Sequence, residues 1–116
     1  MKYFEMSEFD CKCGCGKNNI NPDLLGRLDR AREKAGVPFI INSGCRCESH
    51  NKNVGGSPTS PHLDGFAADI KVTGSGERFT ILAALLTEFN RVGIGGTFIH
   101  VDSDHARPVK VVWVYK

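Results

Sequence analysis

Four histidines are present in the chain, and two of them stand near carboxylates at spacings suited to metal binding. His62 closes a long polar segment, and Asp69 follows seven residues later at the middle of an apolar run. Gly65 supplies a turn between them, and small Ala67 leaves space on the face that Asp69 shares. His100 lies between Ile99 and Val101, so alternation puts Phe98, His100 and Asp102 on one face of a strand. Two neutral imidazoles and one carboxylate suit zinc and leave a fourth position free. Zinc held this way activates water near neutral pH and polarises a carbonyl. Residue type and spacing also admit a plainer reading, with His62 in a surface loop and His100 hydrogen-bonded within a sheet. His50 reads as a rim or exposed residue, and Asp104 and His105 as solvated loop residues.

The five cysteines form a second constellation: Cys11, Cys13 and Cys15 near the start, Cys45 and Cys47 further on. Residues Met1 to Asp10 carry early acids and no apolar stretch, so no secretory signal is expected there, and a full disulfide framework is disfavoured. Three states are open: a structural zinc with up to four thiolates, reduced and mostly buried thiols, or one or two disulfides formed in an oxidising space. The Cys-x-Cys spacing differs from the more usual Cys-x-x-Cys of zinc sites. Any link between the two groups anchors the N-terminal arm, about residues 1–20, against residues 45–47.

The elements that must position these residues are legible from pattern. Asn21 and Pro22 cap and open a helix whose apolar stripe is Leu24, Leu25, Leu28, Ala31 and Ala35, and Gly36 stops it. Residues 38–42 read as a short buried strand. Residues 43–65 read as a long functional loop. Residues 66–72 read as a strand with Ala68, Ile70 and Val72 on one face and Ala67, Asp69 and Lys71 on the other. A second helix is expected over 77–91, with Phe79, Leu82, Ala83, Leu86 and Phe89 as its stripe. Strands follow at 97–102 and 109–115. The expected fold is α+β: two helices packed on a small, mostly antiparallel sheet, within one domain spanning 1–116.

Composition excludes several classes. The net charge of +2, with Lys and Arg scattered, gives no nucleic-acid patch, and aromatic and basic residues do not interleave along any segment. No apolar run is long enough to span a membrane. The chain is expected to act as a monomer and to stay in the cytoplasm where it is made, unless lysis or a partner releases it.

Ser43-Gly44-Cys45-Arg46, Asn51, Val54-Gly55-Gly56, the run Ser60-Pro61-His62-Leu63-Asp64-Gly65-Phe66-Ala67-Ala68-Asp69-Ile70 and Phe98-Ile99-His100-Val101-Asp102 together resemble the zinc D-Ala-D-Ala carboxypeptidase family. That group includes small phage L-alanyl-D-glutamate endolysins and is related in fold to the hedgehog signalling domain and lysostaphin-type endopeptidases. The resemblance covers about residues 8–108. It implies one catalytic zinc held by His62, Asp69 and His100, and Arg46 lining the cleft to bind a substrate carbonyl or carboxylate. Ser60 is a candidate substrate contact or a turn-forming serine before Pro61.

Two departures matter. Many relatives carry an acidic general base three residues before the last histidine ligand, and Thr97 stands there. Asp102 is the substitute, as the base itself or as the partner that orients His100. Cys45 replaces a usual aromatic. The resemblance implies a peptidase acting on peptidoglycan stem peptides at bonds involving D-amino acids, as a carboxypeptidase or an endopeptidase, reaching the wall through phage lysis. The alternative is an inactive, zinc-containing binding or structural module, which Thr97 favours and Arg46 with Asp102 oppose.

Overall fold

The computed structural model describes residues 1–115. Helix α1 (Pro22–Ala35) starts where Asn21 accepts hydrogen bonds from the backbone N–H of Asp23 and Leu24, a cap that contributes about 1 kcal/mol. Its buried stripe is Leu24, Leu25, Leu28 and Ala31, and Gly36 ends it. Strand β1 (Ile41–Ser43) begins later than expected, although Phe39 buried, Ile40 exposed and Ile41 buried keep the alternation of a strand ahead of it. A bond from Lys71 N to Ile40 O still extends the pairing.

The segment read as one loop contains a short helix, α2 (Glu48–Asn53), and a 3₁₀ turn (Pro61–Asp64). Strand β2 (Ala67–Lys71) follows. Helix α3 (Ser75–Leu85) is shorter than expected and buries Ile81, Ala84 and Leu85; of the expected stripe, Leu82 packs against the core and Phe89, beyond the helix, is buried, while Phe79 is 74% exposed and Ala83 and Leu86 are exposed too. The expected helix ran into strand β3 (Arg91–Ile94), which pattern alone did not reveal. Strands β4 (Phe98–Asp102) and β5 (Val111–Val114) complete the chain.

The five strands form one sheet in the order β1-β2-β4-β3-β5. All neighbours run antiparallel except β3 and β5. The architecture is α+β, as expected. One face of the sheet supplies Ala68, Ile70, Val72, Val92, Ile99 and Val101 to the core, where they meet the buried residues of α1 and α3. The N-terminal arm is not loose. Phe4 and Phe9 enter the same core beside Phe39, and the backbone N–H groups of Lys2 and Tyr3 donate to Asp29 on α1. The other face of the sheet is left to carry polar chemistry.

Candidate metal centre and cleft

The sheet register builds the site. In the antiparallel pairing of β2 with β4, Asp69 lies directly opposite His100, and Ala67 opposite Asp102. The alternation that sends Ile99 and Val101 to the core therefore sends Asp69 and His100 together to the polar face. His62 arrives from the 3₁₀ turn. Ser60 Oγ accepts from the His62 backbone N–H at 3.3 Å, and Gly65, at φ 75°, turns the chain into β2.

His62, Asp69 and His100 place one ligand atom each within 4.8 Å of the others. His62 Nε2 is 3.2 Å and His100 Nδ1 is 2.8 Å from Asp69 Oδ1. The outer nitrogens fix the tautomers. His62 Nδ1–H donates to the Gly44 carbonyl at 2.7 Å, and His100 Nε2–H donates to Asp102 Oδ2 at 2.7 Å. With a proton committed to each outer nitrogen, the inner lone pairs of both imidazoles face a carboxylate oxygen. Three electron-pair donors converging in a buried pocket favour a cation among them, and two nitrogens with one carboxylate match zinc. Burial opposes charge on Asp69, yet the histidine partners hold its carboxyl well below the usual carboxylate range. Burial likewise opposes charge on His100, and the carboxylates of Asp102 and Asp69 raise it above the usual imidazole value.

Asp102 is almost wholly buried. Its Oδ1 accepts from Arg91 Nε at 2.6 Å and from the Asp104 backbone N–H at 3.1 Å, while Oδ2 takes the His100 proton. Both oxygens are committed, an arrangement in keeping with the second of the two expected roles, the partner that orients His100. Thr97, in the position of the usual acid, lies exposed between β3 and β4, against Lys71 and Arg78 in a separate cavity.

Arg46 is fixed from three sides. Nε donates to Ser43 Oγ at 3.0 Å, Nη1 to Asn51 Oδ1 at 3.1 Å, and Nη2 approaches Asp69 Oδ2 at 3.4 Å. Asn51 is itself buried and donates to the Ser57 carbonyl. Two of the five guanidinium N–H groups remain for another partner. The cleft of about 390 Å³ over the site is lined by Arg46, Ser60, Asp69, His100, Trp113 and Tyr115, among others.

The aromatic wall was not anticipated. The Trp113 ring lies 5.6 Å and the Tyr115 ring 6.3 Å from the His100 ring, centre to centre. Gly93, between His100 and Trp113 in the sheet, makes this approach feasible, because a Cβ there would sit 2.6 Å from both aromatic side chains. A Gly in a strand with aromatic residues near the C-terminus was the available signal.

The remaining residues stay apart. His50 is not among the metal-ligating groups, His105 is exposed against Phe66, and Asp104 pairs with Arg107. Cys45 is buried in the core, away from the cluster formed by Cys11, Cys13, Cys15 and Cys47.

With this geometry in hand, the comparison with family models is decisive: the model described as Peptidase M15 matches residues 2–102. The chain belongs to the Peptidase M15 family. Peptidases of this family are zinc-dependent, and the match spans every member of the His62, Asp69 and His100 group. It ends at Asp102, before β5 with Trp113 and before Tyr115, which directly follows that strand. No curated protein matches the chain. Among the described residues, no helix of this M15 peptidase domain is long and apolar enough to cross a membrane.

Proposed function

We propose that this chain is a zinc metallopeptidase that hydrolyses peptide bonds involving D-amino acids in bacterial peptidoglycan stem peptides. The observation that carries the reading is the convergence of His62 Nε2, Asp69 Oδ1 and His100 Nδ1 beside a fixed arginine in an open cleft. Zinc bound there supplies a Lewis acid for the scissile carbonyl and for water. Arg46 presents its two free N–H groups to the carbonyl oxygen or terminal carboxylate of the substrate, where a pre-fixed guanidinium stabilises developing negative charge. Ser60 keeps its hydroxyl hydrogen available as a donor to substrate. Asp102 orients His100 through Nε2 and is itself locked by Arg91. Trp113 and Tyr115, their rings set edge to face, give the cleft an aromatic wall against which a stem-peptide side chain packs. The enzyme acts as a monomer, and release by lysis brings it from the cytoplasm to the wall.

One observation favours a second reading, an inactive zinc-containing binding module. Among the described residues, no carboxylate with an uncommitted oxygen borders the cleft, because Asp69 faces the histidines and Asp102 is fully paired.

The test follows zinc content and release of soluble peptides from purified peptidoglycan of several stem types. The enzyme reading expects zinc and cleavage in the wild type, and loss of both in His62→Ala. Zinc retained by the wild type with no peptide released from any wall would sink it in favour of the binding module.

A further inference from the structure

Outside the cleft, the N-terminal arm brings together four sulfurs that the peptidase reading does not use. Cys11, Cys13, Cys15 and Cys47 have Sγ atoms all within 4.8 Å of one another. Cys11 and Cys13 are 3.5 Å apart, and Cys13 and Cys47 are 3.7 Å apart. A disulfide requires about 2.05 Å between sulfurs. Four thiolates in a tetrahedron around zinc, at a Zn–S distance of about 2.3 Å, lie roughly 3.8 Å apart. The observed separations are those of ligands about a shared ion, and all five cysteines are free thiols.

We propose that Cys11, Cys13, Cys15 and Cys47 form a second, structural zinc site. The arm is folded to make it. Alternation along an extended chain would let Cys11, Cys13 and Cys15 point the same way but spread them apart. Gly14 and Gly16, at φ 87° and 85°, instead curl the segment back on itself. Bonds from Gly14 N to Cys11 O and from Cys11 N to Lys17 O close the turn. Backbone N–H groups are aimed at three of the sulfurs: Cys47 N at Cys11 Sγ, Lys17 N at Cys15 Sγ and His50 N at Cys47 Sγ, at 3.4, 3.5 and 3.4 Å. Such donors spread the charge of thiolates that ligate a metal.

The thiols as a group cannot all ionise without a counter-charge. Zinc supplies that counter-charge: its binding displaces the four thiol protons to solvent and leaves a tetrathiolate of net charge −2.

Cys45 stays outside the set. It is fully buried, and its sulfur faces Asn18 Oδ1 at 3.7 Å. The odd cysteine count is thus four ligands plus one core thiol. The site ties the arm to Cys47, next in sequence to Arg46, and so braces the cleft loop from behind. It does not depend on the chain being a hydrolase.

The experiment uses the full chain carrying His62→Ala, in which the cleft can no longer hold its metal. Expected are a single zinc per chain, and, after cobalt replacement, the strong near-ultraviolet sulfur-to-cobalt charge-transfer absorption of a thiolate site. Adding Cys15→Ser, an exposed position, removes both while circular dichroism stays that of the parent. As a check independent of any cysteine variant, Cys13 and Cys15 of the zinc-loaded chain resist iodoacetamide and react once zinc is chelated. A His62→Ala chain that holds no zinc and gives no charge-transfer band overturns the proposal. So does a mass deficit showing disulfides among these four residues.

Discussion

Asp102 holds different partners on its two oxygens, and this decides what an amide in its place would do. Asn in Asp102→Asn presents one oxygen and one N–H₂ to a site that holds Arg91 on one side and the His100 proton on the other. The orientation of His100 then weakens, and zinc affinity is expected to fall about 10- to 100-fold, the usual consequence of removing a carboxylate behind a ligating histidine. Competition with a chelator measures it. A general base would behave differently, with zinc affinity kept and turnover alone lost. The strand faces of Asp69 and His100 were readable in the sequence, because a two-residue period fixes which side chains share a face; His62 sits on a turn that no strand period places, and the three as a ligand set came from the family resemblance. The clamp on Arg46 was not readable. Ser43 and Asn51 are ordinary polar residues until the β1–α2 connection folds them onto the guanidinium.

Helix α3 was the element hardest to read. From Phe79 to Phe89 the sequence is apolar nearly all round, so the stripe through Phe79, Leu82, Ala83, Leu86 and Phe89 and the stripe through Ile81, Ala84 and Leu85 fit the helical period equally well. Packing against α1 selects the second. Leu85→Ala is accordingly expected to cost about 2–5 kcal/mol in denaturant unfolding, whereas Phe79→Ala stays within about 0.5 kcal/mol. Equal costs would mean the helix is turned the other way. Strand β3 escaped pattern reading for a related reason: Arg91 and Gly93 are poor strand signals, and each is there for a tertiary purpose. Arg91 neutralises buried Asp102, and Gly93 makes room for the aromatic wall. Gly93→Ala is expected to push the wall off the sheet at a cost of about 1–3 kcal/mol. Trp113 is the sole tryptophan, so its fluorescence reports the change directly, with a shift toward the emission of a water-exposed indole.

Across the whole molecule, one carboxylate adds ion pairs to the apolar packing of the helical layer. Glu88, just beyond α3, accepts from Lys34 at 2.7 Å and from Arg30 at 3.0 Å, both on α1. The hydrogen bond from Lys34 lowers its pKa, burial opposes this, and Arg30 adds to the lowering. A carboxyl depressed on folding contributes stability in full above its unfolded value of about 4.3, and that contribution is lost as pH falls through this value towards the folded one. Glu88→Gln should therefore lower stability at pH 7 by up to about 1 kcal/mol, and the difference from wild type should shrink as pH falls below about 4.3 and vanish once the folded carboxyl is itself protonated. Thermal melts across pH settle it, and a difference that persists unchanged in acid rules the ion pairs out as its cause.

Trp113 lies on the last strand of the sheet and Tyr115 directly after it, while every candidate metal ligand lies on earlier segments of the chain. The two groups meet only because β5 lies alongside β3. A change of side chain at Trp113 or Tyr115 therefore reshapes what the cleft accommodates while leaving in place the strand register that keeps Asp69 across from His100.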